Sequence, residues 1–254
     1  LAGILWLPHW VYLVAVAIVA LLAAWELVAL LQAKGFPVML VPTLVLLAFG
    51  LFLVFRAEPW PLLAFFAVCV LGLPSMYLLG KGPIAGASAG IAGAFFVVAY
   101  FVMTAGAMGL LRLAFPGELG WKVVLLHCLS IWGGDSGAYY VGVRWGKHKL
   151  APLVSPKKSW EGIAGGTALT FFGVWFCRVV FFPELPWALA WAEAVSLSIL
   201  APVGDLVESL FKRDAGVKDS SDLIPGHGGF LDRTDSLFFA APVTLALMFF
   251  GLPR

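Results

Sequence analysis

The chain has 254 residues, 62% of them hydrophobic and 12% charged, with a formal net charge of +2 and a mean hydropathy of +0.99. Soluble domains carry about 25% charged residues, and a soluble fold of this size has too little polar cover for so much apolar surface. This excludes a water-soluble globule and predicts an all-α, polytopic integral membrane protein; the long apolar runs argue against a β-barrel, whose short strands alternate between lipid and lumen.

A helix needs about 20 apolar residues to cross a bilayer. Residues 1–8 (LAGILWLP) read as the truncated end of a first span. Apolar runs follow at residues 11–32, 38–55, 60–79, 91–113, 121–143, 162–182, 187–210 and 236–252. The expectation is therefore about nine transmembrane helices. Residues 1–113 read as a mainly structural half that also provides a lipid groove, and residues 114–254 as a catalytic half with polar loops at 144–161 and 211–235.

The first half is poor in charge. Glu26, inside AAWELVALL, is an exception that suits either helix pairing or function. Gly86, Gly90 and Gly93 predict close helix packing. Cys69, Cys128 and Cys177 stand alone in apolar runs, without the spacing of a metal or redox site, and read as packing residues.

Basic residues orient the chain. Arg144, Lys147, Lys149, Lys157 and Lys158 fall in one loop, and Lys212, Arg213, Lys218 and Arg233 in another. Two spans separate these loops, so both lie on one side, and the positive-inside rule makes that side cytoplasmic. Lys34 and Lys81 then lie inside, and Arg56, Arg112, Lys122 and Arg178 at the outer ends. The N-terminus is expected inside and the C-terminus outside.

Two polar constellations carry the chemistry. The first spans residues 131–162, IWGGDSGAYYVGVRWGKHKLAPLVSPKKSWEG. Asp135 sits within a span beside Gly133, Gly134 and Gly137, which admit a close neighbour. Ser155, Lys157, Lys158 and Ser159 precede a helix expected to start near Trp160. Hydroxyls, ammonium groups and free amides at a helix start suit an anion. Lysines at a membrane edge also serve as headgroup anchors.

The second constellation occupies residues 204–236, GDLVESLFKRDAGVKDSSDLIPGHGGFLDRTDS. Asp205 and Glu208 are three apart and share a helix face, as do Asp232 and Asp235. Four acids from two segments can gather hard cations such as Mg²⁺. Lys212, Arg213, Lys218 and Arg233 interleave with them, which suggests metal-bound polyphosphate. A Pro-Gly-His-Gly-Gly turn presents His227 and bare amides. Asp214 and Asp222 read as ordinary loop charges. The residues alone leave open a solvated loop, or an ion-coupled transporter using Asp135, Asp205 and Glu208.

The stretch from Ser209 to Asp235, SLFKRDAGVKDSSDLIPGHGGFLDRTD, resembles the signature of the phosphatidate cytidylyltransferases. The match runs through Ser209, Lys212, Arg213, Lys218, Asp219, Pro225, His227, Gly228, Gly229, Asp232, Arg233 and Asp235. GDLVES, SPKKSWEG and the Asp135, Ala138, Tyr139, Gly142 pattern are also similar to that family. The resemblance covers roughly residues 130–240.

The resemblance implies transfer of the cytidylyl group of CTP to phosphatidic acid, giving CDP-diacylglycerol and pyrophosphate, with Mg²⁺ and a second cation such as K⁺. It implies a catalytic set of Asp205, Lys218, Asp219, Asp232 and Asp235. Asp205 and Asp232 would be the first metal ligands, with Asp235 and Asp219 next. Lys212, Arg213, Lys218 and Arg233 would hold phosphate, and Ser155, Lys157, Lys158 and Ser159 would form the facing wall. His227 would bond a phosphate or steady its turn, and Asp135 would face metal or nucleotide. The family further suggests a homodimer, membrane lipid but no nucleic acid as partner, and a bacterial cytoplasmic membrane with the site on its cytoplasmic face. Within CTP-using enzymes, an ether-lipid cytidylyltransferase or a polyprenol kinase is the alternative.

Overall fold

A computed structural model of the chain describes residues 8–56, 59–80, 84–221 and 228–252. These hold eight helices and one small hairpin. The helices are α1 (His9–Ala33), α2 (Leu40–Phe55), α3 (Pro59–Leu79), α4 (Ala87–Leu113), α5 (Leu119–Trp145), α6 (Trp160–Val180), α7 (Trp187–Asp214) and α8 (Leu231–Gly251). Strands β1 (Lys149–Ala151) and β2 (Ser155–Ser159) lie between α5 and α6.

Each expected run from residue 11 onward corresponds to one helix. By length and composition, six are apolar enough to cross a membrane: α1, α3, α4, α6, α7 and α8. The 16-residue α2 is shorter, and α5 carries Lys122, Asp135 and Arg144. The expected span at 1–8 lies, apart from Pro8, outside the described residues. The chain is an all-α integral membrane protein with one addition that its sequence did not announce, the hairpin.

Packing follows small residues. On α4, a Cβ at Gly90 would stand 2.6 Å from Pro37 O, one at Gly93 2.9 Å from Val38 Cγ2, and one at Gly106 3.1 Å from Val54 Cγ1. Between lipid-facing helices, where solvent drives no association, such close approach gains dispersion contact. Helix α4 is accordingly deeply buried, with α1, α2, α3, α5 and α8 packed around it. Phe101 on α4 meets Phe238 on α8 edge to face, ring centres 6.3 Å apart. All three cysteines are free and buried. Large apolar side chains such as Val41, Leu63, Leu71 and Phe172 are exposed on the outside, where lipid covers them.

The α5–α6 contact is as close. A Cβ at Gly137 would lie 2.5 Å from Gly165 O, and one at Gly134 would strike Thr170 Oγ1. The glycines around Asp135 thus admit a neighbouring helix. At the far end of this pair Lys122 Nζ bonds Glu184 Oε1 at 2.8 Å, and Arg178 lies 4.8 Å over the Trp187 ring. Such aromatic and basic residues suit a membrane interface.

The ends of α7 and α8 set up the site. Helix α7 continues to Asp214 and stops where Gly216 takes φ 75°. Val217 N then bonds Lys212 O at 2.9 Å and Gly216 N bonds Arg213 O at 3.0 Å, a glycine-ended Schellman closure. Helix α8 begins at Leu231, five residues before the expected run. Asp205, Glu208, Lys212, Asp232 and Asp235 are therefore all helical, and the expected loop at 211–235 is shortened from both ends.

Candidate active site

The acids of α7 and α8 meet because the two helices nearly touch. A Cβ at Gly204 would stand 2.9 Å from Asp235 O and 2.7 Å from Phe239 Cβ. Ser236 Oγ donates across the same seam to Ala201 O at 2.9 Å. In consequence carboxylate oxygens of Asp205, Glu208 and Asp235 lie within 4.8 Å of one another. Asp205 and Asp235 are half-buried and Glu208 is buried.

Two lysines flank this trio. Lys158 Nζ pairs with Asp205 Oδ2 at 2.6 Å. Lys212, one turn beyond Glu208 on α7, pairs with Glu208 Oε2 at 2.7 Å and also with Asp232 Oδ1. Asp135 lies within electrostatic range of Asp205 and Lys158, at the mouth of a groove between α5, α6 and α7 that Thr167, Thr170 and Ser198 also line. Five carboxylates thus face two ammonium groups among the described residues. Glu208 Oε1 is buried without a hydrogen-bond partner. Three close carboxylates, one with an unpartnered buried oxygen, make a donor set that fits a hard divalent cation.

Asp232 has a different position from the trio. Its Oδ2 accepts from Ser220 Oγ at 2.6 Å, Gly229 N at 2.9 Å and Ser220 N at 3.2 Å, while Oδ1 takes Lys212. Both oxygens are engaged by the protein, so Asp232 ties Ser220 and Gly229 to the start of α8 and holds Lys212. Gly228, at φ 77°, passes so close that a Cβ would stand 2.9 Å from Asp232 Oδ2.

Glu26 completes this arrangement from the far end of the sequence. It is fully buried on α1. Its carboxylate accepts from Leu231 N at 2.7 Å, Phe230 N at 3.0 Å and Ser221 Oγ at 2.5 Å, and lies 3.0 Å from Ser220 Oγ. Two of these donors are backbone N–H groups at the start of α8, where no intrahelical acceptor exists and negative charge is favoured. Ser220 Oγ stands between Glu26 and Asp232, one hydroxyl between two carboxylates.

The basic wall comes from the hairpin. β1 and β2 pair antiparallel, Lys149 opposite Ser159 and Ala151 opposite Ser155. Ser159 caps α6, its Oγ accepting from Gly162 N at 3.1 Å, as its residue type favours at that place. Glu161 ties down the preceding turn, accepting from Lys147 N at 3.1 Å and His148 N at 3.2 Å. Alternation along β2 puts Ser155 and Lys157 on the face opposite Lys158, and Lys157 is exposed. Of the four residues expected to form this wall, Lys158 is the one ion-paired to the acids, while Ser159 serves the helix start.

The other expected residues lie around the rim. Arg213 Nε bonds Val154 O and its Nη1 bonds Val217 O, both at 3.2 Å, joining the hairpin tip to the end of α7. Lys218, Asp219 and Arg233 are exposed. Asp219 and Asp232 are outside the close trio, which Glu208 completes. His227 and Asp222 lie outside the described residues. Asp214, expected in a loop, is the last residue of α7 and bonds Lys34 at 2.8 Å as an exposed pair.

The site can be set beside known proteins. The chain is 51% identical over 127 residues to a phosphatidate cytidylyltransferase of Pseudomonas aeruginosa, covering 50% of this chain and 47% of that protein. It is 45% identical over 140 residues to one of Haemophilus influenzae, covering 52% and 48%. It is 40% identical over 131 residues to one of Bacillus subtilis, covering 52% and 49%. The chain spans about half the length of the curated relatives it matches. The profile of the cytidylyltransferase family matches residues 1–250, nearly the whole chain, and the chain belongs to that family.

Proposed function

We propose that the chain transfers the cytidylyl group of CTP to phosphatidic acid, forming CDP-diacylglycerol and releasing pyrophosphate in phospholipid biosynthesis. The observation that carries this is the convergence of Asp205, Glu208 and Asp235 between Lys158 and Lys212, where apolar helices give way to polar loops. A water-soluble nucleotide and a lipid headgroup meet at such a boundary. The names of the relatives support the choice of lipid.

The nucleophile is a phosphate oxygen of the lipid, already anionic near neutral pH, so no strong general base is needed. The site has to position two polyanions and offset their charge. Asp205, Glu208 and Asp235 would hold Mg²⁺, which neutralises charge on the triphosphate oxygens when bound. Lys158, paired with Asp205, and Lys212, paired with Glu208 and Asp232, would each exchange a carboxylate for a phosphate oxygen. Asp232 and Glu26 hold Ser220 and residues 229–231 at the start of α8. Residues 114–254 carry most of this set, with Glu26 reaching in from the first half. The basic loops support a cytoplasmic face of a bacterial membrane by the positive-inside rule.

The test is to incubate the purified chain with CTP, Mg²⁺ and phosphatidic acid and look for CDP-diacylglycerol and pyrophosphate. Both products are expected. Product with another lipid phosphate but none with phosphatidic acid would move the substrate to a different lipid.

A further inference from the structure

Away from these acids, three polar side chains meet among the spans. His127 on α5, Glu193 on α7 and Thr244 on α8 are each fully buried. His127 Nδ1 lies 2.9 Å from Thr244 Oγ1, and Thr244 Oγ1 lies 2.6 Å from Glu193 Oε1. His127 Nε2 lies 3.0 Å from the carbonyl oxygen of Leu237. Among the described residues no ion pair involves any of the three.

These contacts fix the number of hydrogens. A carbonyl oxygen only accepts, so His127 Nε2 carries a hydrogen. The Thr244 hydroxyl has one hydrogen to give. If it goes to Glu193, Nδ1 must carry a second ring hydrogen, and an imidazolium faces a carboxylate. If it goes to Nδ1, Glu193 must supply the hydrogen between the two oxygens, and a carboxylic acid stands with a neutral imidazole. A carboxylate with a neutral imidazole leaves two acceptors facing each other across one of the contacts. Both permitted patterns hold one proton more than that, and both are electrically neutral.

Glu193 Oε2 chooses between them. It is buried with no hydrogen-bond partner. A bare oxygen of a neutral acid costs less in an apolar interior than one sharing a full negative charge. We propose that Glu193, Thr244 and His127 form an intramembrane proton-binding site. It holds one proton on Glu193, with Thr244 donating to His127 Nδ1 and His127 Nε2–H donating to Leu237. The result is an uncharged tie across α5, α7 and α8. Glu193 precedes Asp205 by 12 residues and Thr244 follows Asp235 by nine, which places the tie about 18 Å from the candidate active site along α7 and about 14 Å along α8. It stands whether or not the proposed transfer is correct.

Two spectroscopic readouts test this in the purified full chain. The infrared spectrum should contain a carboxylic-acid carbonyl stretch that is lost in Glu193→Gln. Nitrogen NMR of histidine-labelled protein, assigned by replacing the other three histidines, should report His127 as neutral with its hydrogen on Nε2. Glu193→Gln should leave that signal unchanged and retain the melting temperature, because the amide N–H replaces the acid O–H toward Thr244. An imidazolium signal in the wild type that turns neutral in Glu193→Gln overturns the placement of the proton. A neutral ring with no acid band overturns the site itself. If Glu193→Gln does not fold, the wild-type nitrogen spectrum alone decides, since an imidazolium there contradicts the proposal.

Discussion

The carboxylate of Glu26 accepts the backbone N–H of Leu231 at 2.7 Å across 205 residues of sequence. The first described helix thereby caps the last one, four residues before Asp235, the acid that α8 adds to the trio. Glu26→Ala leaves the backbone N–H groups of Phe230 and Leu231 without their acceptor. Each buried donor so abandoned costs about 1–3 kcal/mol, so the start of α8 is expected to move rather than stay in place. Turnover should fall by at least about 10-fold, the rate equivalent of about 1.4 kcal/mol. Glu26→Gln, which presents N–H toward donors on one side, should fall between alanine and wild type. Equal turnover in all three proteins would refute the role assigned to Glu26.

Asp235→Asn and Glu208→Gln each remove one charge from the trio that fits a divalent cation. Both should weaken Mg²⁺ binding, measured by calorimetry on the detergent-solubilised protein, by at least about 10-fold. Asp219→Asn, at an exposed position outside the trio, should change it little. If Asp219→Asn weakens binding more than Asp235→Asn does, the cation belongs elsewhere.

Lys158 is held by Asp205 at 2.6 Å and is assigned to phosphate. Lys158→Ala should raise the apparent KM for CTP or for the lipid by about 10-fold or more, the scale of one charge-assisted hydrogen bond. Lys157→Ala, on the opposite face of β2, should have a much smaller effect. Steady-state kinetics of the two variants side by side separate a directed contact from a general loss of positive charge.

The seam between α7 and α8 tolerates no added carbon at Gly204, where a Cβ would meet Phe239 Cβ at 2.7 Å and Asp235 O at 2.9 Å. Gly204→Ala should destabilise the protein by about 1–3 kcal/mol through overpacking and should reduce turnover by displacing Asp235. Thermal unfolding in detergent and an activity measurement check both effects. Wild-type values in both would show that the two helices have room to part.

Much of the fold was legible because hydropathy alone marks apolar helices, and each run from residue 11 onward became one. Helix ends were less legible. Polar residues such as Lys212 and Asp232 suggested loop, whereas the helical backbone continues past the apolar stretch and satisfies its own hydrogen bonds. The pairing of Asp205 with Glu208 was readable from spacing, since three residues on a helix share a face. Asp232 and Asp235 have that spacing too, yet Asp232 turns to Lys212 and Ser220 and Asp235 joins the trio. Which neighbour each meets depends on how α7 crosses α8, and spacing within one helix holds no record of that crossing. The same holds for Lys158 and Glu26, whose partners come from other helices. The hairpin was missed because its strands have three and five residues, too short for alternation to show. His127 and Glu193 did leave a signal, since ionisable residues inside apolar runs are rare and costly.

The most direct measurement of the central claim follows label from CTP into lipid. The purified chain is given phosphatidic acid and Mg²⁺ with CTP labelled either at the α-phosphate or at the γ-phosphate. Cytidylyl transfer predicts that the α-label enters the lipid fraction and the γ-label leaves as pyrophosphate, with both outcomes suppressed in Asp235→Asn. Entry of the γ-label into lipid, or no transfer of the α-label by the wild-type chain, would contradict it.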